Sequence, residues 1–259
     1  DYLMEREFED SELRFLIDAV LFSKGISGAQ AKDLIEKLKK QSSKYFEPKL
    51  THISYLPELH KVDNKQLMYV IGVIEDAIEN EKKISFIYND YNIDFKLRPR
   101  REKRYIMNPY QLIINNGRYY LLGNYDNYDN VAHCRVDRIT DIVISDEPRK
   151  PMKCVKGLEK GINLPKHMAE HMYLFGGEGS RILMKAKKGI FNDLVDWFGT
   201  DFSVLSEEKD WYTVSVCCSE DAMFLWAMQY NTNVEILEPI SLREKIGERA
   251  RELAEKYGK

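Results

Sequence analysis

At Lys83 the hydrophobic period of the sequence changes, and that change constrains the fold more than any other feature. Upstream of it, apolar residues recur at helical spacing. Downstream come KISFIY, YNIDFKL, RYIMNPYQLIINN, GRYYLLGNY, VAHCRVDRI and TDIVIS, alternating runs rich in β-branched and aromatic residues, which read as five or six short strands. Asn116-Gly117 joins Tyr110–Asn115 to Arg118–Gly123 and is the strongest short-range hairpin signal a sequence offers. So many short strands in so few residues expose their edges unless the sheet curls closed, so a small barrel is expected.

The upstream helices follow from their stripes. Leu13, Leu16, Ile17, Val20 and Leu21 share one face of the first, with Ser11 as its cap, and Ala31, Leu34, Ile35 and Leu38 share one face of the second, the pattern of helices lying on a core. Leu67, Val70, Ile71, Ile74 and Ile78 predict a third helix from Asn64. Residues 149–180 read as a connector, with a short helix around Pro165 to Tyr173. Beyond it the order is RILMKAKKG (strand), IFNDLVDWFG (helix), a hairpin turning at Glu207 to Asp210, EDAMFLWAMQYNTN (helix) and VEILEP (strand). That βαββαβ succession is ferredoxin-like. A last helix, ISLREKIGERARELAEKYGK, follows it.

Several kinds of chemistry are disfavoured. With 44% hydrophobic and 31% charged residues, the chain has enough apolar content to offset chain entropy. No run approaches the roughly 20 apolar residues of a membrane span, and the first residues lack the pattern of a signal peptide, so a cytoplasmic protein with no membrane contact is expected. Cys134, Cys154, Cys217 and Cys218 include no C-x-x-C, which disfavours a disulfide framework or a zinc knuckle. His167 and His171 have metal-ligand spacing, but Met168 stands where a metalloprotease needs its base, and no third ligand accompanies them. There is no phosphate-cradling glycine motif and no nucleophile elbow, and the carboxylates are scattered among lysines. No catalytic constellation, cofactor or metal is expected.

The net charge of −3 conceals a basic middle third. Lys96, Arg98, Arg100, Arg101, Lys103 and Arg104 crowd one segment beside Tyr88, Tyr91, Phe95 and Tyr105. Guanidiniums for phosphates and flat rings for bases are what a single-stranded nucleic acid requires, although a solvated loop has the same composition. In VAHCRVDRI, read as one strand, alternation puts His133, Arg135 and Asp137 on one face. That suggests an anion site, or else ion pairing of Arg135 or Arg138 with Asp137 or Asp141.

Pro109-Tyr110, the Asn-Gly turn, Arg118-Tyr119-Tyr120-Leu121 and Cys134-Arg135-Val136-Asp137-Arg138-Ile139 together resemble the signature of the WYL-domain family, whose Trp-Tyr-Leu triplet reads Tyr119-Tyr120-Leu121 here. The resemblance implies an α+β chain with four parts: a helical linker domain at 1–82, a WYL Sm-like or SH3-like barrel at 83–148, a connector at 149–178 and a C-terminal ferredoxin-like extension at 179–259. It also implies the sensing part of a bacterial transcription regulator, with a barrel that binds a nucleic-acid or nucleotide ligand. Tyr110, Tyr119, Tyr120, Arg135 and Arg138 are the contacts it carries over; His133, Arg98, Arg100, Arg101 and Arg104 rest on their own chemistry. The expected partners are a single-stranded nucleic acid or nucleotide effector and a second copy of the chain, through a last-helix stripe of Ile246, Ala250, Leu253 and Ala254. Duplex DNA is expected to be met only through a DNA-reading head upstream of Asp1. The rival expectation is a scaffold that holds a homodimer or a protein partner without any small ligand.

Overall fold

Both hydrophobic periods become the elements they specify, in a computed structural model that describes residues 8–41, 66–163 and 179–258. The described residues divide into two units. One comprises the residues through Asp126 together with Cys134–Arg149; the other comprises Asn127–His133 and the residues from Lys150 onward.

In the first unit, α1 (Asp10–Phe22) starts one residue before the expected cap. Glu9 takes that place, and Glu12 reaches back to the Glu9 N–H at 2.8 Å. α2 (Gly28–Lys39) opens on a capping box in which the Ser27 hydroxyl accepts from Gln30 N and Gln30 accepts from Ser27 N, satisfying donors that a helix start leaves orphaned. α3 (Leu67–Glu79) buries Leu67, Val70, Ile74 and Ala77 completely and packs on β1, β3 and β6.

The strands are β1 (Lys82–Tyr91), β2 (Leu97–Pro99), β3 (Tyr105–Asn115), β4 (Arg118–Tyr125), β5 (Ala132–Arg135) and β6 (Ile139–Pro148). Their order is β2-β1-β3-β4-β5, with β6 pairing β1. All pairs of β1 are antiparallel, and β1 curls the sheet by changing partners. Ile84–Phe86 pair β3, Lys82–Tyr88 pair β6, and the last three residues pair β2. The β3–β4 turn has Asn116 at φ 51° and Gly117 at φ 71°, the two left-handed residues that a hairpin of the favoured twist needs. Two runs read as single strands do not stay extended. YNIDFKL turns at residues 92–96 between β1 and β2, and VAHCRVDRI ends its strand at Arg135 and tightens into a 3₁₀ turn over Val136–Arg138.

Gly123, buried in β4, is a point of close backbone approach between β4 and β3. A Cβ there would lie 2.7 Å from the Asn108 carbonyl oxygen and 2.9 Å from Met107 Cγ and Sδ. Gly123→Ala should therefore destabilise the first unit by about 1–3 kcal/mol, the usual cost of overpacking a close-packed core. Urea denaturation followed by far-ultraviolet dichroism would measure it.

The second unit contains β7 (Gly179–Lys187), α4 (Phe191–Phe198), β8 (Phe202–Glu207), β9 (Trp211–Ser219), α5 (Glu220–Tyr230), β10 (Val234–Glu238) and α6 (Ile240–Tyr257). Its sheet order is β10-β7-β9-β8, and every pair is antiparallel. That is the ferredoxin-like split βαβ arrangement. Trp226, Phe198, Leu194, Met184 and Leu242 fill its core. Of the stripe expected to meet a second copy, Ile246 packs partly on this core, whereas Ala250, Leu253 and Ala254 are exposed. The helix around Pro165 to Tyr173 and the pair His167 and His171 lie outside the described residues.

Candidate nucleic-acid interface

The 3₁₀ turn at Val136–Arg138 anchors the site, and β1 pins that turn in two places. The buried Asn89 side chain donates to the Arg138 carbonyl and to Thr140 Oγ1, each at 2.9 Å, and the Tyr88 hydroxyl accepts from Arg135 N at 3.2 Å. The turn tucks Val136 and Asp137 inward. This explains why strand alternation alone misplaced Asp137.

Asp137 is 1% exposed and is held by two guanidiniums. Arg135 approaches it in a fork at 3.0 and 2.6 Å, and Arg118, from the start of β4, donates at 3.3 Å. Buried charge survives only when paired and hydrogen-bonded in this way. Burial draws the Arg135 guanidinium pKa down, but the bonds and charge of Asp137 outweigh it and leave that pKa above its ordinary value. On the neighbouring strand Asp90 holds a second pair, Arg100 at 2.6 and 2.9 Å and Arg138 at 3.1 Å. The Arg100 bonds keep the Asp90 carboxyl below the usual carboxylate range against an opposing effect of burial. Four guanidiniums thus share two carboxylates, and the cluster keeps two positive charges in excess.

Rings border the cluster. The Arg138 guanidinium lies 5.7 Å from the Tyr91 ring centre and that of Arg100 4.9 Å from Tyr88. Tyr120 shares its β4 face with Arg118, two residues away, and its hydroxyl is electrostatically coupled to Arg135. Behind them Phe86, Tyr88, Tyr105 and Tyr125 stack through the barrel at centroid distances of 5.5–6.4 Å, and the Tyr125 hydroxyl meets Cys134 Sγ at 2.9 Å.

The expected site residues therefore separate. Tyr120, Arg135, Arg138 and, through Asp90, Arg100 come together. Tyr119 takes the other face of β4, beside the turn at Gly25. Tyr110 is buried with Arg149 over its ring at 5.5 Å. Arg104 is engaged by Ser85 and Asp141, Arg101 is stacked 3.5 Å over Tyr105, and Arg98 is exposed on β2. His133 belongs to the second unit. Sequence reasoning missed Arg118 and Asp90, whereas Tyr91 was read as one of the rings beside the basic run. Arg118 was legible, since it follows the Asn-Gly turn and stands two positions before Tyr120.

Burial gives the barrel an alkaline limit. It pushes the Cys134 thiol up to about 11 from 9.0 and the Tyr88 hydroxyl up to about 12 from 10.0. The unfolded chain releases both protons at the lower values, so stability is whole below pH 9 and falls as pH rises through 11 and 12. At about 1.4 kcal/mol per pH unit, each group accounts for roughly 2–3 kcal/mol of that loss. Denaturation midpoints measured between pH 8 and pH 11.5 should fall steeply, and Cys134→Ala should move the onset toward the tyrosine range.

Among the described residues no three His, Cys, Asp or Glu side chains are grouped to hold a metal, and no helix is long and apolar enough to cross a membrane. The second unit has a groove of about 480 Å³ between α5, β10 and α6, mostly apolar, with Glu235 and Arg243 among its lining.

Comparison with known proteins bears on both units. None of the curated proteins matches the sequence. Solved structures similar to it include Proteasome accessory factor B/C (PafBC) of Arthrobacter aurescens, at 14% identity over 92% of this chain and 35% of that one, with a TM-score of 0.32. Another is a CRISPR Cas-related protein, at 11% identity over 73% of this chain and 51% of that one, with a TM-score of 0.44. The chain thus spans about a third of the first and half of the second. The family model of the WYL domain matches residues 69–144, and that of the WCX domain matches residues 184–254. With a WYL domain in its first unit and a WCX domain in its second, the chain belongs to the WYL-domain family.

Proposed function

We propose that this chain is the ligand-sensing part of a cytoplasmic transcription regulator and that its WYL domain binds an anionic effector, a short single-stranded nucleic acid or a nucleotide, without catalysing a reaction. The observation that carries this reading is the excess of positive charge at the Arg118, Arg135, Arg138 and Arg100 cluster, bordered by Tyr91 and Tyr120. Arg118, Arg135 and Arg138 keep 20–23% of their side-chain surface open, enough for a phosphate oxygen to reach them. In addition, Arg138 Nε is buried with no acceptor among the described residues, and a donor in that state is open to an acceptor supplied by a water or a ligand. Phosphates would lie on the guanidiniums and bases on the rings.

Fluorescence anisotropy with a labelled single strand tests this. Arg135→Ala or Arg138→Ala should weaken binding by about 1.5–3 kcal/mol, the worth of a charge-assisted hydrogen bond. Unchanged affinity in both variants would remove the assignment. A specific observation favours a second reading: every guanidinium in the cluster already has a carboxylate, as it would if these arginines only braced a scaffold. Under that reading no small anion would bind at any salt concentration.

The assembly that goes with the sensing reading is a homodimer through Ala250, Leu253 and Ala254 of α6. Duplex DNA would be contacted by a separate head. Sedimentation should give twice the chain mass, and a monomer at tens of micromolar would end the dimer proposal.

A further inference from the structure

The hairpin between β1 and β2 turns through Asn92–Lys96 and presents two apolar side chains to solvent. Ile93 is 94% exposed and Phe95 is 87% exposed. The turn is tied by Asn92, whose Oδ1 accepts from Asp94 N at 3.1 Å and from Lys96 N at 2.9 Å, while Asn92 N donates to the Lys96 carbonyl and Phe95 N to the Asn92 carbonyl, each at 3.0 Å. Phe95 closes it at φ 58°. That left-handed conformation is costly for an aromatic residue and nearly free for glycine. Folding gains nothing from a phenylalanine here, because its ring is left in water.

Its surroundings indicate what the ring meets. Lys96 and Arg98 flank the tip and are exposed, with Asp94 as the acid within the turn. Tyr91, the residue before the turn, lies under Arg138, so the tip grows from the rim of the guanidinium cluster. Exposed cations select a polyanion, and an exposed flat ring held on a fixed turn selects something that stacks. A single-stranded nucleic acid has both properties.

We propose that Phe95, supported by Ile93, is a base-stacking platform for a single strand whose phosphates lie on the guanidinium cluster, which makes the effector an oligonucleotide rather than a mononucleotide. The inference rests on the function proposed above and adds a contact to it. Binding of single strands that carry 2-aminopurine at successive positions, measured on the full chain and its variants, tests it. One position should change fluorescence on binding to the wild-type chain. Phe95→Ala should abolish that change and weaken binding about 5- to 100-fold, with an unaltered dependence on salt because no phosphate contact is lost. Phe95→Gly, which relieves the left-handed backbone, controls for loss of folding. If the wild-type chain binds and Phe95→Ala binds equally with the same 2-aminopurine signal, the platform is overturned and the phosphate site stands. If the wild-type chain binds no single strand at low salt, the function proposed above falls and the platform with it.

Discussion

Replacing Asp137 by alanine should destabilise the first unit by about 3–5 kcal/mol, because it leaves Arg118 and Arg135 partly buried against no counter-charge. Asp137→Asn keeps the shape and one acceptor and removes only the charge, so it should cost less. The two variants also probe the site. With the carboxylate gone, an added phosphate or sulfate could take its place between the two guanidiniums, and an anion that binds only the folded state raises stability with concentration. Thermal denaturation of Asp137→Ala in chloride and in sulfate would show both effects. A variant as stable as the wild type would mean that the pairs on Asp137 do not hold the 3₁₀ turn.

A loss of similar size is expected in the other unit. Trp226 is fully buried, with Phe198 at 5.1 Å and Tyr230 at 4.6 Å between ring centres. Trp226→Ala should cost about 3–5 kcal/mol through lost burial and the cavity left behind. The Trp226 Nε1 donor has no acceptor among the described residues, so Trp226→Phe sheds an unsatisfied polar atom along with some packing and should cost under about 2 kcal/mol. Denaturant unfolding of both variants would measure the difference. Equal losses would mean that the indole N–H has a partner.

Most of the fold was legible because its signals are periodic. Leu67, Val70 and Ile74 mark α3 by spacing alone, Asn116-Gly117 marks a turn that demands left-handed residues, and the βαββαβ succession follows from changes of period. What escaped depends on single side chains. Ile93 and Phe95 alternate as a strand would, but Asn92 caps the backbone of its own turn and breaks the run. Asp137 was readable as a partner of Arg135, yet its burial under a second guanidinium came from Arg118, far away in sequence. Ser27 and Gln30 form a capping box that the apolar stripe of α2 does not announce. The basic run at residues 96–104 looked like one surface. Asp90, Asp141 and Tyr105 divide it, because each engages a different arginine, and only the three-dimensional register brings those partners to hand.

The central claim is that the guanidiniums in excess at Asp137 and Asp90 hold the phosphates of a single strand. Its most direct test is the salt dependence of single-strand affinity in the wild-type chain. Each phosphate neutralised contributes a slope of about −0.7 to the plot of log affinity against log salt, so two to four contacts predict a slope between about −1.4 and −2.8. A slope in that range that becomes shallower in an Arg100→Ala, Arg138→Ala double variant, which leaves only the half-exposed Asp90 without its partners, is the predicted result; affinity that does not respond to salt, or a slope unchanged in the double variant, would contradict the claim.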